Sequence, residues 1–513
     1  MVSDESAAVA ELREQLAVVL GALAQRDAVI GELRAELAAA AAEISELRRQ
    51  LGQNSRNSSK PPSSDGLAKP APRSLRKRGA RKPGGQDGHP GSTLTPVAVP
   101  NEVVPHEPGV CRGCGHDLSG APEVGREHRQ VFDIPPISVR VTEHQMLKRR
   151  CECGTVTSAP PPAGVTAPVQ YGTRITAIVV YLYVGQFLSR QRAAAALAEL
   201  FGTPVSPGTV AAMTSRAAGG LGGFTEWVRA NLAAAEVVNF DETGLRVEGK
   251  LRWVHSASTG KYSLITVHDR RGVKGMDAAG VLPVFTGIAV HDAWAPYDTY
   301  RAVTHALCGA HVLRELHAVT DLADTEPNTD ADRWCWATQA GDALRELNER
   351  VNAALTISDT LDDIDPAALA DAIHRYRSAA LLGIKATRAR ENKVMSKHHA
   401  LARRLIDRQD DYLRFTVDPR VPFDNNAAER EIRMIKLRQK VSGCLRTLIG
   451  AEQFCAIRSY LATAAKHGIH FFQALTCWPR GAPGCPKPPD TESRDLRNLT
   501  SYPRTSGRPR APF

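Results

Sequence analysis

The sequence predicts a multidomain α/β protein with a mixed-sheet core in a chain of 513 residues. Three observations predict it: a heptad repeat near the N-terminus, two close cysteine pairs, and a later alternation of short apolar runs with helical patterns. A chain of this length can form two to four folded units. The sequence lacks both an apolar run of about eighteen residues and a secretion signal, so we expect no membrane span and a cytoplasmic location.

Residues 7–52 carry the heptad repeat. Apolar residues occupy six a positions and four d positions: Leu16, Leu23, Ile30, Leu37, Ile44 and Leu51 at a, and Leu12, Val19, Leu33 and Leu47 at d. This spacing predicts an N-terminal coiled coil and therefore a homo-oligomer. The alternative is a single helix that packs on its own domain.

Basic residues concentrate in two segments. The chain has a net charge of +10, to which residues 53–92 contribute +7 and residues 478–513 contribute +4. We predict a basic flexible linker at 53–100 and a disordered basic tail at 476–513, because neither holds enough apolar residues to form a core. Such segments suit the DNA backbone, although they also serve solubility, and the candidate contacts are Arg76, Lys77 and Arg78.

Two cysteine pairs define a small module at 101–160. Their four thiols can hold one tetrahedral Zn²⁺ with no open position, which predicts a zinc-ribbon-like module with structural zinc at Cys111, Cys114, Cys151 and Cys153. Alternating apolar residues between the pairs predict strands that bring them together: Val131, Ile134, Ile137, Val139 and Val141. The alternative is four reduced thiols without a metal.

Residues 170–230 are predicted to be helical. One helix begins at Ser189 and ends at Gly202, and the pair Ser206-Pro207 supplies an N-cap and a first-turn proline for the next helix. Two helices joined by a short turn predict a helix-turn-helix bundle that binds DNA. Small helical bundles share the pattern, and Arg216 is the one basic residue of the candidate reading helix.

Four strands are predicted in the next segment, at 235–241, 251–257, 262–268 and 286–291. Three consecutive strands, a helix and a fourth strand are typical of a ribonuclease-H-like sheet, in which the first and fourth strands are neighbours. Asp241 and Asp292, at the ends of those two strands, should therefore meet. We assign this core to 235–320 and 420–475, with an all-α insertion at 321–419 in which Trp334 and Trp336 are the predicted core anchors.

A later helix supplies a third acid. Glu429, Arg433 and Lys436 lie on one face, beside an apolar stripe formed by Ala428, Ile432 and Ile435. Three carboxylates from distant segments are what a two-cation phosphoryl-transfer site requires, and the two basic residues can contact DNA phosphate. The alternative is that Asn426 and Glu429 form only a capping box.

These motifs resemble the insertion sequence 66 family of bacterial transposases, which belongs to the DDE superfamily. The resemblance extends to about Ala474 and rests on Gln53–Asp65 (QNSRNSSKPPSSD), Gly84–Gly91 (GGQDGHPG), the paired cysteines, Phe240–Gly244 (FDETG), Asp292, Cys308–His311 (CGAH) and Asp424–Arg433 (DNNAAEREIR). It implies that Asp241, Asp292 and Glu429 are catalytic and hold two Mg²⁺ or Mn²⁺ ions in each active site.

The resemblance also implies partners and an activity. Members of the family cut the terminal repeats of their element, join them to target DNA and often act with small companion proteins. Cys308 and His311 match a pattern of several DDE groups and are auxiliary candidates, either structural or positioning a displaced strand. Two other functions remain open, namely a DNA-binding regulator with a non-cutting core and a nuclease without joining activity.

Overall fold

The N-terminal segment forms one long helix. The computed structural model describes residues 2–52, 94–323, 334–390 and 393–477, and its first helix, α1, spans Val2–Gly52. The helix covers the whole predicted repeat, and its apolar heptad side chains between Leu16 and Leu47 are exposed, by 37% at Leu23 and 73% at Leu37. Most of the predicted linker and nearly all of the predicted tail, with Arg76, Lys77 and Arg78, lie outside the described residues.

The described residues group into two compact units. One unit holds residues 94–214 and 475–477, and the other holds 2–52 together with 215–323, 334–390 and 393–474. The first unit contains a short hairpin of β1 (Lys148–Arg150) and β2 (Val156–Ser158), paired antiparallel. None of the described helices is long and apolar enough to cross a membrane.

The strands predicted between the two cysteine pairs are absent, so that prediction is wrong. Residues 122–147 are all described and form no helix or strand. The alternating apolar side chains are exposed, Val131 by 91% and Val141 by 88%. An alternating pattern produces a strand only where a neighbouring strand pairs its backbone and a core covers its apolar face, and this segment has neither.

Four helices follow the cysteine module: α2 (Thr173–Val180), extended by a π-helical turn at Tyr181–Gly185, α3 (Arg190–Phe201), α4 (Pro207–Gly219) and α5 (Gly222–Ala233). The predicted helix boundaries are confirmed. The side chain of Ser189 accepts a hydrogen bond from the backbone of Arg192, and Gly202 ends α3 with a φ of 57°. Ser206 Oγ accepts from the backbone nitrogen of Thr209 at 3.0 Å, which satisfies a free donor at the start of α4.

A five-stranded mixed sheet forms the centre of the second unit. Its strands are β3 (Val237–Val247), β4 (Lys250–Ser258), β5 (Ser263–His268), β6 (Ile288–His291) and β7 (Thr304–Leu307), in the order β5-β4-β3-β6-β7. Strands β3, β4 and β5 pair antiparallel, whereas β6 pairs parallel with both β3 and β7. The first and fourth predicted strands are therefore neighbours, as expected, and β7 is an additional strand.

Strand β3 is longer than predicted. The predicted strand ends at residue 241, whereas Thr243 and Gly244 continue the pairing of β3 with β4. The chain reverses at Glu248 and Gly249, whose φ angles of 54° and 72° are those of a type I′ hairpin turn. Asp241 consequently lies in the interior of β3, where its backbone pairs with Ser256.

Helices pack against the parallel strands β6 and β7. After α6 (Val273–Ala279) and α7 (Gly309–Ala323) come α8 (Trp336–Ile357), α9 (Pro366–Ala386), α10 (Lys393–Asp407) and α11 (Gln409–Leu413). One hydrophobic cluster joins β6 and β7 to helices α7 to α11. Trp336 is buried in the cluster, but Trp334 is 55% exposed and is not a core anchor, because it precedes α8 and hydrogen-bonds Gln339 at the surface.

Helices α12 (Asn426–Ser442) and α13 (Leu448–Lys466) pack against the antiparallel strands of the sheet, and α14 (Phe471–Cys477) follows them in the chain. The predicted stripe of α12 is confirmed, since Ala428, Ile432 and Ile435 are all buried. Helix α13 pairs with the edge of the sheet, where Ser459 Oγ accepts from the backbone of Ile265 at 2.8 Å. Strand β5 therefore does not expose that backbone donor to pairing with another chain.

Candidate active site

Two acids lie close together, one on β3 and the other directly after the neighbouring parallel strand β6. Strand β3 pairs with β6 so that Asn239 is opposite Val290. Continuing this register by two residues places Asp241 opposite Asp292, immediately after β6. Both residues are half-buried. Parallel pairing thus brings together two carboxylates that are far apart in the sequence, because parallel neighbours point in the same direction at the same sheet edge.

Helix α12 brings a third acid to the same place through Asn425, the residue before its first turn. The fully buried side chain of Asn425 donates to the backbone oxygen of Phe240 at 2.6 Å and accepts from Asn239 at 2.9 Å. These bonds attach the start of the helix to β3 directly before Asp241. Glu429 lies in the first turn of α12 and is therefore fixed relative to the two aspartates.

The capping-box alternative for Glu429 is wrong. The N-cap residue of α12 is Asn425, its side chain makes no capping bond, and Asn426 is already helical. The Glu429 carboxylate instead lies 2.6 Å from Arg433 and 3.7 Å from Nδ1 of His311. The acid faces other segments of the unit, as a functional carboxylate would.

The acids influence one another electrostatically. Burial is the largest cause that raises the pKa of Asp241 well above its ordinary value, and the charges of Glu242, Asp292 and Glu429 raise it further. A cluster of carboxylates with this much mutual repulsion fits a divalent cation, which would offset the repulsion and prefers oxygen ligands. The residues that could hold such ions are Asp241, Asp292 and Glu429.

A fourth acid, Glu242, was not singled out by sequence reasoning. Its side chain is 1% exposed and accepts two hydrogen bonds from Arg271, at 3.1 and 2.7 Å, and one from the Tyr297 hydroxyl at 2.7 Å. Burial, followed by the charge of Asp292, raises its pKa to about 7, although Arg271 and Tyr297 oppose the rise. The only sequence signal was its position next to Asp241.

This network supports the loop that carries Asp292. Arg271 lies over the ring of Trp294 at 3.9 Å, and Tyr297 stacks on His291 at 4.3 Å. Between them, Ala293 has a φ of 67°, a conformation that residues with a side chain rarely adopt. Strain of this kind persists where the surroundings enforce it, and here the contacts on both sides of Asp292 hold the loop.

These pKa shifts predict how the stability of the metal-free protein depends on pH. The folded-state pKa of Glu242 is about 7 against an ordinary 4.5, so the folded core retains a proton that the unfolded chain loses between those values. The contribution of Glu242 to the free energy of unfolding is therefore complete below about pH 4.5. It falls by about 3 kcal/mol as the pH rises through 7. Asp241 shifts in the same direction.

Thermal unfolding checks this expectation. Mg²⁺ should raise the melting temperature more at about pH 8 than at about pH 5, because the carboxylates bind a cation only after losing their protons. Asp241→Asn should reduce both the metal effect and its pH dependence. An equal Mg²⁺ effect in the variant would contradict the assignment of a cation to this cluster.

The predicted DNA-contacting residues differ in exposure and in the groups that they contact. Arg433 is half-exposed and pairs with Glu429. Lys436 donates to the backbone oxygen of Gly244 in β3, and burial lowers its pKa, so its ammonium group joins α12 to the sheet. Arg216 is exposed in the last turn of α4.

Cys308 and His311 lie beside the acids. Both flank the start of α7, and Cys308 accepts a hydrogen bond from the backbone nitrogen of Asn425 at 3.2 Å. Gly309 donates to the backbone oxygen of Phe423 at 2.8 Å, and a Cβ at this position would overlap the Phe423 ring. Burial raises the pKa of Cys308 to about 12 and lowers that of His311 to about 4.

Each cysteine pair of the N-terminal module forms a tight turn. The backbone nitrogen of Gly115 donates to the backbone oxygen of Cys111 at 2.8 Å, and that of Gly154 donates to the backbone oxygen of Cys151 at 2.9 Å; both glycines have a positive φ. Hydrogen bonds with Thr155 lower the pKa of Cys153 to about 7. Hydrogen bonds with Cys114 and Gly113 also lower the pKa of Cys111. Two such turns, each with one thiol of lowered pKa, fit a zinc site, although among the described residues the four sulfurs do not gather within 4.8 Å of one another.

Comparisons with protein families agree with this organisation. Residues 108–154 match the zinc-finger binding domain of transposase IS66, which spans all four cysteines, and residues 4–95 match a family of unknown function. Residues 168–453, more than half of the chain, match the family described as Transposase IS66 family. Comparison with curated proteins found no match.

These matches define the class of protein, which is a transposase with a zinc-finger module. They support structural zinc and DNA as a partner. The chain belongs to the IS66 family of transposases. The matched segment 168–453 contains Asp241, Asp292 and Glu429, and it also contains Cys308 and His311.

Proposed function

We propose that this chain binds the ends of its insertion sequence, cuts them and joins them to target DNA at a site formed by Asp241, Asp292 and Glu429. The observation that carries the proposal is the convergence of three carboxylates from β3, from the residue directly after β6, and from α12. They are close enough that the charges of Asp292 and Glu429 both raise the pKa of Asp241. Convergent acids with perturbed pKa values are candidates for catalytic roles.

The three carboxylates would hold two Mg²⁺ or Mn²⁺ ions, which supply an activated nucleophile and stabilise the leaving oxygen when bound. Asp241 lies in the interior of β3, and the register of β3 with β6, continued by two residues, sets it opposite Asp292. Asn425 positions Glu429 through its bonds to β3. Glu242 and Arg271 hold the Asp292 loop in place and thereby preserve the separation of the acids.

Other elements have proposed roles in handling DNA. The strand order, with three antiparallel strands followed by two parallel ones, supports a ribonuclease-H-like core. We assign α3 and α4 as a helix-turn-helix that contacts element ends with Arg216, and Arg433 as a phosphate contact beside the active site. An exposed cation next to the carboxylates can bind the backbone of the strand to be cut.

One assay tests the function. The full chain is mixed with a labelled duplex that carries the terminal sequence of its own element, a target plasmid and Mg²⁺ or Mn²⁺. We expect nicks with a free 3′-hydroxyl and then joined products. Nicking without joining would contradict the proposal in favour of a nuclease, and binding without nicking would favour a regulator.

The α1 heptad predicts self-association, since its apolar seam is exposed in the single chain. Ile30→Lys with Leu37→Lys should place two charges in that seam and convert oligomers to monomers at low concentration. Ala28→Lys with Ala35→Lys adds the same charge at f positions on the opposite side and serves as the matched control. Sedimentation measures mass, and paired-end joining should fall more than nicking of a single end.

If the seam variant remains oligomeric, α1 does not pair these subunits. The helix would then serve a different partner, such as a small companion protein. Loss of oligomers in the control variant as well would mean that charge on any face of α1 is disruptive, which would also contradict the seam.

A further inference from the structure

A cysteine, a histidine and Glu429, one of the three proposed catalytic acids, lie close together. Cys308 precedes α7, His311 lies in its first turn, and Glu429 lies in the first turn of α12. Their ligand atoms all lie within 4.8 Å of one another. In the described part of the chain, no other group of three or more such residues meets this criterion.

The imidazole of His311 has an unused atom that faces this point. Its Nδ1 is buried and has no hydrogen-bond partner. The nearest carboxylate oxygen, Glu429 Oε1, is 3.7 Å away, which is too far for a hydrogen bond. Two ligands of a tetrahedral zinc ion, each 2.0–2.1 Å from the metal, lie about 3.3 Å apart, so a small movement would suffice.

The other two side chains are arranged compatibly. Cys308 accepts a hydrogen bond from the backbone of Asn425 at 3.2 Å, and such a bond stabilises a thiolate. Glu429 divides its oxygens, because Oε2 accepts from Arg433 at 2.6 Å while Oε1 faces His311. Arg314 also lies 3.7 Å from Oε1 and would have to share that oxygen with an ion.

We propose that Cys308, His311 and Glu429 bind one borderline-soft divalent ion, of which Zn²⁺ is the representative. A thiolate and an imidazole with one carboxylate select Zn²⁺ or Co²⁺, whereas Mg²⁺ prefers oxygen ligands alone. Binding releases the thiol proton of Cys308 to solvent. The site is separate from the four cysteines of the N-terminal module, which belong to another part of the chain.

An ion at this site should also affect nicking, an effect that rests on the proposed function because Glu429 is catalytic there. An ion bound to Cys308 and His311 would take up Oε1 of Glu429 and so compete for this carboxylate with the ions that Asp241 and Asp292 would hold. Micromolar Zn²⁺ should therefore inhibit nicking that is supported by Mg²⁺, and a chelator weak enough to leave the N-terminal module loaded should restore it.

The binding test uses the full chain and Zn²⁺ itself. After equilibrium dialysis, the wild type should hold one more Zn²⁺ per chain than Cys308→Ser or His311→Gln. Cys455→Ser, which changes another buried cysteine on α13, is the matched control and should hold as much as the wild type. With Co²⁺, the wild type and control should show additional sulfur-to-metal absorption that Cys308→Ser lacks.

The outcomes separate this site from the proposed function. Equal Zn²⁺ content in all four proteins would overturn the site, whatever the nicking activity. If Cys308→Ser fails to fold, as judged by circular dichroism, the comparison of His311→Gln with the wild type decides. A wild type that binds the additional ion but never cuts DNA would retain the site and refute the transposition mechanism.

Discussion

Asp241→Asn is expected to abolish strand cleavage while leaving the fold and DNA binding intact. Loss of a carboxylate that holds catalytic cations should remove about 4 kcal/mol of transition-state stabilisation, or about a thousandfold in rate. The amide has the same size as the acid and removes a charge that Glu242, Asp292 and Glu429 oppose. The metal-free variant should therefore unfold at the same temperature as the wild type or higher.

Asp269→Asn is the matched control for this variant. Asp269 directly follows β5, is half-exposed and pairs only with His268 and Arg270 among the described residues. Its substitution should leave nicking within about twofold of the wild type, since a surface ion pair contributes little. Retained cleavage in Asp241→Asn, or equal loss in the control, would show that the catalytic acids lie elsewhere.

Loss of the structural zinc should have the second large effect. The binding free energy of a structural Zn²⁺ is about 10–16 kcal/mol, and a small module without it cannot maintain its turns. Cys151→Ser should therefore lower the zinc content by one ion and expose residues 101–160 to hydrogen exchange. Strands β3 to β7 should keep their protection, because metal binding and folding are coupled within the module alone.

Cys444→Ser provides the comparison, since Cys444 is also exposed but lies outside the module. It should leave both the zinc content and the exchange pattern unchanged. Unaltered zinc content in Cys151→Ser would refute the four-cysteine site, and loss of protection in β3 to β7 would refute its independence from the core.

Features that depend on local pattern could be predicted from the sequence. The stripe of α12 and the boundaries of α3 follow from side-chain spacing and from Ser and Gly at the helix ends. The neighbouring positions of β3 and β6 followed from the order of strands and helices. That order was enough to predict that Asp241 and Asp292 meet, although they are 51 residues apart in the sequence.

Features that depend on tertiary packing could not be predicted. Arg271 contacts Glu242 because α6 and the Asp292 loop fold over the sheet, and no spacing in the sequence encodes that contact. The predicted first strand ends at residue 241, but β3 continues through Gly244, where Leu251 of the partner strand occupies the space that a side chain would need. The alternating residues around Val131 have the pattern of a strand without the partner that a strand requires.

The most direct test of the central claim asks whether Asp241 touches the catalytic cation. Asp241→Cys replaces the carboxylate with a thiolate, which binds Mn²⁺ far better than Mg²⁺. The wild type should nick its element ends with either ion, whereas the variant should be inactive with Mg²⁺ and regain measurable nicking with Mn²⁺. A variant that remains inactive with Mn²⁺ while still binding DNA, or one that cuts equally well with Mg²⁺, would contradict the assignment.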